Sequence, residues 1–202
     1  MQTRLLLISH AATAAMRSGR FPADDPLDAR GLAEVAAWRE HLTPGLDEPA
    51  IFTSPAACAR DTAQALGFGT ETNAHMEPAL ADADPGRWRG RRLADIANEE
   101  PEALAAWTRD PDAAPPGGES FSAVLARVGG WLDALPVASR SDPGEIVAIT
   151  HAAVIRAAII HALGASPASF TRIEIASLSI VEVRRSIRGG WTWWPAHAHD
   201  AA

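Results

Sequence analysis

The feature that most constrains this chain is a pair of short apolar runs that end alike. Residues 4–9 (RLLLIS) and 145–150 (EIVAIT) carry consecutive aliphatic residues with no helical period. Each run leads into a small hydroxyl residue, a histidine and an alanine: Ser9-His10-Ala11 and Thr150-His151-Ala152. An unbroken apolar run of this length reads as a strand buried on both faces. Two such strands demand helices above and below them, and the rest of the chain supplies helical patterns.

Asp28 is placed to cap a helix over 29–42, with Leu32, Val35, Ala36 and Leu42 as its apolar face and Pro44-Gly45 as its stop. Residues 50–53 (AIFT) read as a further strand. Ser54 and Pro55 then suit the cap and first turn of a helix reaching about Leu66, ended by Gly67 and Gly69. Ser120 caps a helix over 121–135 with Val124, Leu125, Val128 and Leu132 inward, and a last helix is expected over 153–163. Residues 172–183 read as strand, Trp191–Trp194 as an edge strand, 10–26 as a loop and 196–202 as a frayed tail. Residues 78–118 are rich in Arg, Asp, Glu and Pro, with a helical stretch near 92–107, and read as a cap inserted over the core. Strand and helix in alternation predict an α/β fold: one domain over 1–202, a mostly parallel central sheet, helices on both faces and a small helical cap.

Composition narrows the function. At 47% hydrophobic residues the chain can bury a core. A net charge of −7 argues against a general nucleic-acid binder. No apolar run approaches the roughly 18–20 residues that span a bilayer, and LLLI is too short for a signal-peptide core, so a cytoplasmic location with no membrane partner is expected. A single cysteine, Cys58, excludes an intrachain disulfide and an all-cysteine zinc cage. The chain contains no lysine, so Schiff-base chemistry is excluded and every cationic contact is a guanidinium.

His10 and His151 sit at matched strand ends, where open α/β sheets place their ligands. They could be two unrelated core histidines satisfied by backbone groups. Facing each other across one crevice, they could instead do chemistry. Two imidazoles are one ligand short of a metal site, and no carboxylate or further histidine occupies a matching strand end, so no metal and no cofactor are expected. A neutral imidazole can attack phosphorus, and a second can hold the transferring oxygens.

On these residues the sequence resembles the histidine phosphatase (phosphoglycerate mutase-like) superfamily over nearly its whole length. The family's strand followed by Arg-His-Gly and a threonine is similar to Ile8-Ser9-His10-Ala11-Ala12-Thr13. Its D-x-P-L-T-x-x-G resembles residues 24–31, and its S-P-L-x-R-A-x-x-T-A resembles residues 54–63. Its L-x-E-x-x-x-G-x-W-x-G is similar to residues 80–90, and its P-x-G-G-E-S-F to residues 115–121. Its second histidine motif is matched at Thr150-His151-Ala152, with Arg156 downstream.

The resemblance implies His10 as nucleophile, His151 as its partner, and Asp82 where the family has the glutamate that protonates the leaving group. It places Ser9, Thr13, Cys58, Thr150 and Ala152 around the phosphate. The departures are chemical. Both phosphate-clamping arginines are replaced, by Ser9 and Cys58, and both glycines after the histidines are alanine. With charged hydrogen bonds worth about 1.5–3 kcal/mol each, losing two weakens phosphate binding by roughly 3–6 kcal/mol. Aspartate is also one methylene short of glutamate, and about 1 Å of misplacement can cost about a hundredfold in rate.

Arg20, Arg87 and Arg89 are candidates to compensate, with Arg91 and Arg92 in the same basic cluster, whereas Arg60 should point away from the position of Cys58 on its helix. Cys58 lacks the anion-binding loop spacing of a cysteine nucleophile. Trp191, Trp193 and Trp194 read as edge-strand packing. The expectation is a divergent phosphomonoesterase acting on a small phosphorylated metabolite through phosphohistidine, without a metal. Sugar phosphates, nucleoside phosphates and a cobalamin-pathway nucleotide phosphate all fit. The alternative is a catalytically weak or inactive anion-binding or regulatory member of the same fold. Self-association as a homodimer is left open.

Overall fold

β1 (Gln2–Ser9) and β4 (Glu145–Thr150) lie side by side and parallel, with Ser9 opposite Thr150, at the centre of the sheet. This computed structural model describes residues 2–40, 48–68, 74–138, 144–186 and 188–195. β2 (Ala50–Thr53) pairs with β4, and β3 (Ala74–Met76) with β2, both parallel. β5 (Ile180–Ser186) runs antiparallel along the other side of β1, and β6 (Trp191–Trp194) antiparallel to β5. The six-stranded order is β3-β2-β4-β1-β5-β6, an α/β sheet that is parallel except at one edge.

Period-two alternation divides the two central strands between two cores. Leu5, Leu7, Ile146 and Ala148 pack with α6 (Phe121–Ala134) and α7 (Ala152–Leu163). Leu6, Ile8, Val147 and Ile149 pack on the opposite face with α2 (Ala29–Arg39) and α3 (Ala57–Leu66). This is why neither strand shows a polar face in sequence. Full burial of each such aliphatic side chain contributes about 1.5–3 kcal/mol.

The differences from sequence expectation are local. α2 starts where expected, its Asp28 Oδ1 accepting from Gly31 N at 2.9 Å, but stops at Arg39. Its buried contacts come from Gly31 and Val35, with Trp38 half-buried, while Leu32 and Ala36 face solvent. The i, i+4, i+7 row of those three residues won over the row of aliphatic ones, because Gly31 lets the helix close on the Ala12 carbonyl. Leu42, Pro44, Gly45, Gly69 and the 196–202 tail lie outside the described residues. α3 takes Ala56, not Ser54, as its N-cap, and ends at Gly67 with φ of 83°.

Residues 173–179 are not strand. The chain forms a 3-10 turn at Pro167–Arg172 and joins the sheet only at Ile180, opposite Ile8. Ser9 N bonds Ser179 O and Leu178 N bonds Ser9 O, so 173–177 have run past the end of β1 and have no neighbour to pair with. Within 10–26 a short helix α1 (Ala14–Arg17) forms, capped by the Thr13 hydroxyl. The insertion folds as 3-10 turns at Pro78–Leu80 and Gly86–Trp88, then α4 (Leu93–Glu99) and α5 (Pro101–Arg109). Phe21, Trp88 and Trp107 meet ring to ring at 5.3–5.9 Å between centroids, pinning this cap to the loop after His10. Among the described residues no helix is long and apolar enough to cross a membrane.

Candidate active site

The register of β1 and β4 delivers the two histidines to one place. His10 follows Ser9, His151 follows Thr150, and His10 N bonds Thr150 O at 2.9 Å across the junction. Their ring centroids are 4.8 Å apart at an interplanar angle of 65°. Both are almost fully buried at the base of a cavity of about 530 Å³.

Each ring has one nitrogen engaged and one turned loose. His10 Nδ1 lies 2.7 Å from Ala11 O. A carbonyl only accepts, so Nδ1 carries the proton and Nε2 the lone pair in the neutral ring. His151 Nε2 lies 2.8 Å from Ser54 Oγ, while its buried Nδ1 has no hydrogen bond. That Nδ1 is 3.6 Å from Asp82 Oδ2. Burial holds His10 below the ordinary histidine range, against the opposing pull of the Ala11 carbonyl and Asp82. Burial pulls His151 down to about 4, with Asp82 opposing and His10 adding to the drop. The pair is therefore two neutral imidazoles near pH 7.

The surrounding scaffold is built from distant segments. Ala11 N donates to Thr62 Oγ1 on α3, whose hydroxyl donates to Cys58 O. Asp24, at φ of 63°, accepts from Ala57 N at the start of α3. Thr150 Oγ1 donates to Leu80 O at 2.7 Å. Arg127 on α6 clamps the 79–82 segment that carries Asp82, donating to Ala79 O, Ala81 O and Asp82 O at 2.7–3.2 Å while Glu119 holds its other side.

Of the residues expected at the site, His10, His151, Asp82, Thr13, Cys58, Arg89 and Ala152 line the cavity. Ser9, Thr150, Arg20 and Arg87 are not among the lining residues. Strand alternation turns Ser9 and Thr150 to the side of Leu7 and Ala148, beneath the crevice. Arg20 is exposed and donates to Gly90 O, and Arg87 faces solvent. Arg91 is paired with Glu99 and Glu100, and Arg60 is exposed and donates to the Pro55 carbonyl. Arg89 is the guanidinium at the cavity wall, and it is bonded to Asp84 at 2.7 Å.

Three contributors were not singled out from sequence. In sequence Ser54 reads as a helix cap. Its position directly after β2, beside the ends of β1 and β4, is the signal that it could serve a strand-end site. Thr62 and Arg127 carry no local signal, since Arg127 reaches back over 45 residues to Asp82. The Cys58 thiol, buried with the imidazoles, is pushed up to about 12, chiefly by burial and then by the Asp82 charge, so it is protonated. One nitrogen from each histidine and Cys58 Sγ all lie within 4.8 Å of one another.

A sequence model of the histidine phosphatase superfamily (branch 1) matches residues 5–193. The chain is 30% identical over 184 residues to a bifunctional protein of Mycobacterium tuberculosis, covering 89% of this chain and 50% of that one. It thus spans about half the length of these mycobacterial relatives. It is 28% identical over 185 residues to the adenosylcobalamin/alpha-ribazole phosphatase of Salmonella typhimurium, covering 89% of this chain and 90% of that one. Among solved structures it is similar to a mycobacterial glucosyl-3-phosphoglycerate phosphatase complexed with VO3, with a TM-score of 0.81 and 28% identity over 96% of this chain and 100% of the other.

Proposed function

The chain belongs to the histidine phosphatase superfamily, and from that premise we propose that it is a divergent phosphomonoesterase acting on a small phosphorylated metabolite through phosphohistidine. The observation that carries the reading is the orientation of His10. Its Nδ1–H is anchored on Ala11 O, so the bare Nε2 is the atom free to attack. Named relatives are phosphatases of small phosphorylated molecules, which supports the class of substrate. A cavity of about 530 Å³ fits such a ligand.

In this mechanism His10 Nε2 forms a bond to phosphorus as the bond to the leaving oxygen breaks. Asp82 passes a proton from solvent to that oxygen. Ser54 Oγ already accepts from Ala56 N and can donate to His151 Nε2, which leaves His151 Nδ1–H to donate to a phosphoryl oxygen. Water activated by the Asp82 carboxylate then attacks phosphohistidine, releasing phosphate and the free imidazole. Every proton in this route is held by the chain or by water, so the route itself requires no metal.

The test is trapping. A radiolabelled phosphomonoester quenched in denaturant should leave label on the wild-type protein and none on His10→Ala, whose turnover should fall to background. Label or turnover in a folded His10→Ala variant would assign the chemistry to another group. A specific observation favours a second reading, that of a catalytically weak member. Among the described residues the one guanidinium lining the cavity is already paired with Asp84, so a phosphate dianion meets little positive charge.

A further inference from the structure

We propose that His10, Cys58 and His151 form a binding site for a divalent, borderline-soft transition-metal ion of the zinc class, with Cys58 as thiolate ligand. The three donor atoms belong to three elements: the end of β1, the first turn of α3 and the end of β4. All three residues are buried, and their donor atoms lie within 4.8 Å of one another. A tetrahedral zinc site with bonds of about 2.0–2.3 Å separates its nitrogen and sulfur donors by roughly 3.3–3.6 Å. Contraction by at most about 1.2–1.5 Å, within side-chain reach, closes the set.

The second observation is independent of the cysteine. His151 Nδ1 is a deeply buried polar atom with no hydrogen-bond partner. Its other nitrogen faces Ser54 Oγ, a hydroxyl able to accept Nε2–H and so leave the Nδ1 lone pair pointing at the ion. His10 is oriented likewise: Ala11 O takes its Nδ1–H and frees Nε2. Each ligand imidazole thus has an outer partner able to take the proton of its other nitrogen, as metal-binding histidines require.

The charge around the site has the right sign. Asp24, Asp25, Asp82 and Asp84 line the same cavity, and the one arginine lining it among the described residues is engaged by Asp84. Asp82 Oδ2, 3.6 Å from His151 Nδ1, is placed to complete the coordination. Neutral imidazoles and a soft sulfur donor select zinc-class ions over magnesium or calcium, which take oxygen. On binding, the Cys58 thiol loses its proton to solvent, one per ion, and the sulfur–metal bond replaces the sulfur–hydrogen bond. The ion occupies the same Nε2 lone pair that attacks phosphorus in the proposed reaction, so bound metal and phosphoryl transfer exclude each other. The binding itself does not depend on that reaction.

Cobalt(II) is the probe, because its thiolate bond produces an ultraviolet charge-transfer absorption and its tetrahedral field produces visible bands. Cys58 is the only cysteine in the chain, so the thiolate absorption reports on this site alone, whereas five further histidines could take up metal elsewhere. Titration of the tag-free full chain under reducing conditions should give both signals, saturating at one equivalent and displaced by zinc. Cys58→Ser should abolish the charge-transfer absorption and weaken zinc binding at least about tenfold. His10→Ala should weaken it similarly, with circular dichroism confirming that both variants are folded. No uptake, or uptake whose spectrum lacks the thiolate absorption, would overturn the site. So would zinc affinity that is unchanged in folded Cys58→Ser. Trapping of phosphohistidine on metal-free protein reads the phosphatase separately, so either result can fail without the other.

Discussion

At the residue scale one side chain separates this pocket from an ordinary phosphate pocket. Cys58 is where the family resemblance expects a guanidinium, and its buried, protonated thiol offers an anion nothing. Position 58 faces the cavity, whereas Ser9, the other substituted position, is turned beneath it. Cys58→Arg is therefore the informative restoration. We expect it to raise kcat/KM for a simple aryl phosphate roughly tenfold to a hundredfold, the worth of one charged hydrogen bond of about 1.5–3 kcal/mol. Steady-state kinetics on a variant with wild-type circular dichroism decides it, and no gain would mean that the cavity has been rebuilt around something other than a phosphate. The placement of His10 at a strand end is legible from sequence, because a histidine after a buried strand needs only the strand to be recognised. Ser54 was misread because a Ser-Pro pair looks the same whether the serine caps a helix or bonds a histidine from another strand.

At the element scale, Arg127 shows how a helix on one face positions a carboxylate on the other side of the crevice. It donates to three carbonyls of the 79–82 segment and is itself held by Glu119. It is a positioning residue: it touches the backbone that carries Asp82, and not the reacting atoms. Arg127→Met should slow hydrolysis of an alkyl phosphate about a hundredfold, since an alkoxide leaving group needs the Asp82 proton within about 1 Å of its mark. Hydrolysis of an aryl phosphate with an acidic phenol should change little. Equal slowing of both substrates would reduce Arg127 to a structural brace. Sequence could mark the α6 helix through its Ser120 cap and apolar row, yet nothing local says which of its polar residues reaches the cap.

At the scale of the whole molecule, burying two neutral histidines couples stability to pH. Folding lowers the affinity of both rings for protons, His151 from 6.5 to about 4. Between those values the unfolded chain binds more protons than the folded one, so stability rises with pH and is lost as pH falls through the window. For His151 the loss approaches about 3 kcal/mol at pH 4 and below. Urea midpoints at about pH 7.5 and about pH 5 should differ clearly in the wild type and less in His151→Asn. Identical differences in the two proteins would show that burial of this ring does not govern the acid limb.

The sequence by itself determined the alternation of strands and helices, the two central strands to within two residues, and the place of His10 and His151 at matched strand ends. These are consequences of local periodicity: short unbroken apolar runs read as strands covered on both faces, and once such strands pair in parallel the residues that leave them emerge at the same edge. Only the tertiary structure decided which cations reach the cavity, since the fate of Arg20, Arg89 and Arg91 depends on the carboxylates and carbonyls they meet across the cap. It also decided where β5 begins, because a strand exists only where a neighbour's edge is there to bond. The juxtaposition of Cys58 with two histidines 48 and 93 residues away belongs to the same class. Sheet order brings β2, β4 and β1 together, and no periodicity along the chain encodes that order.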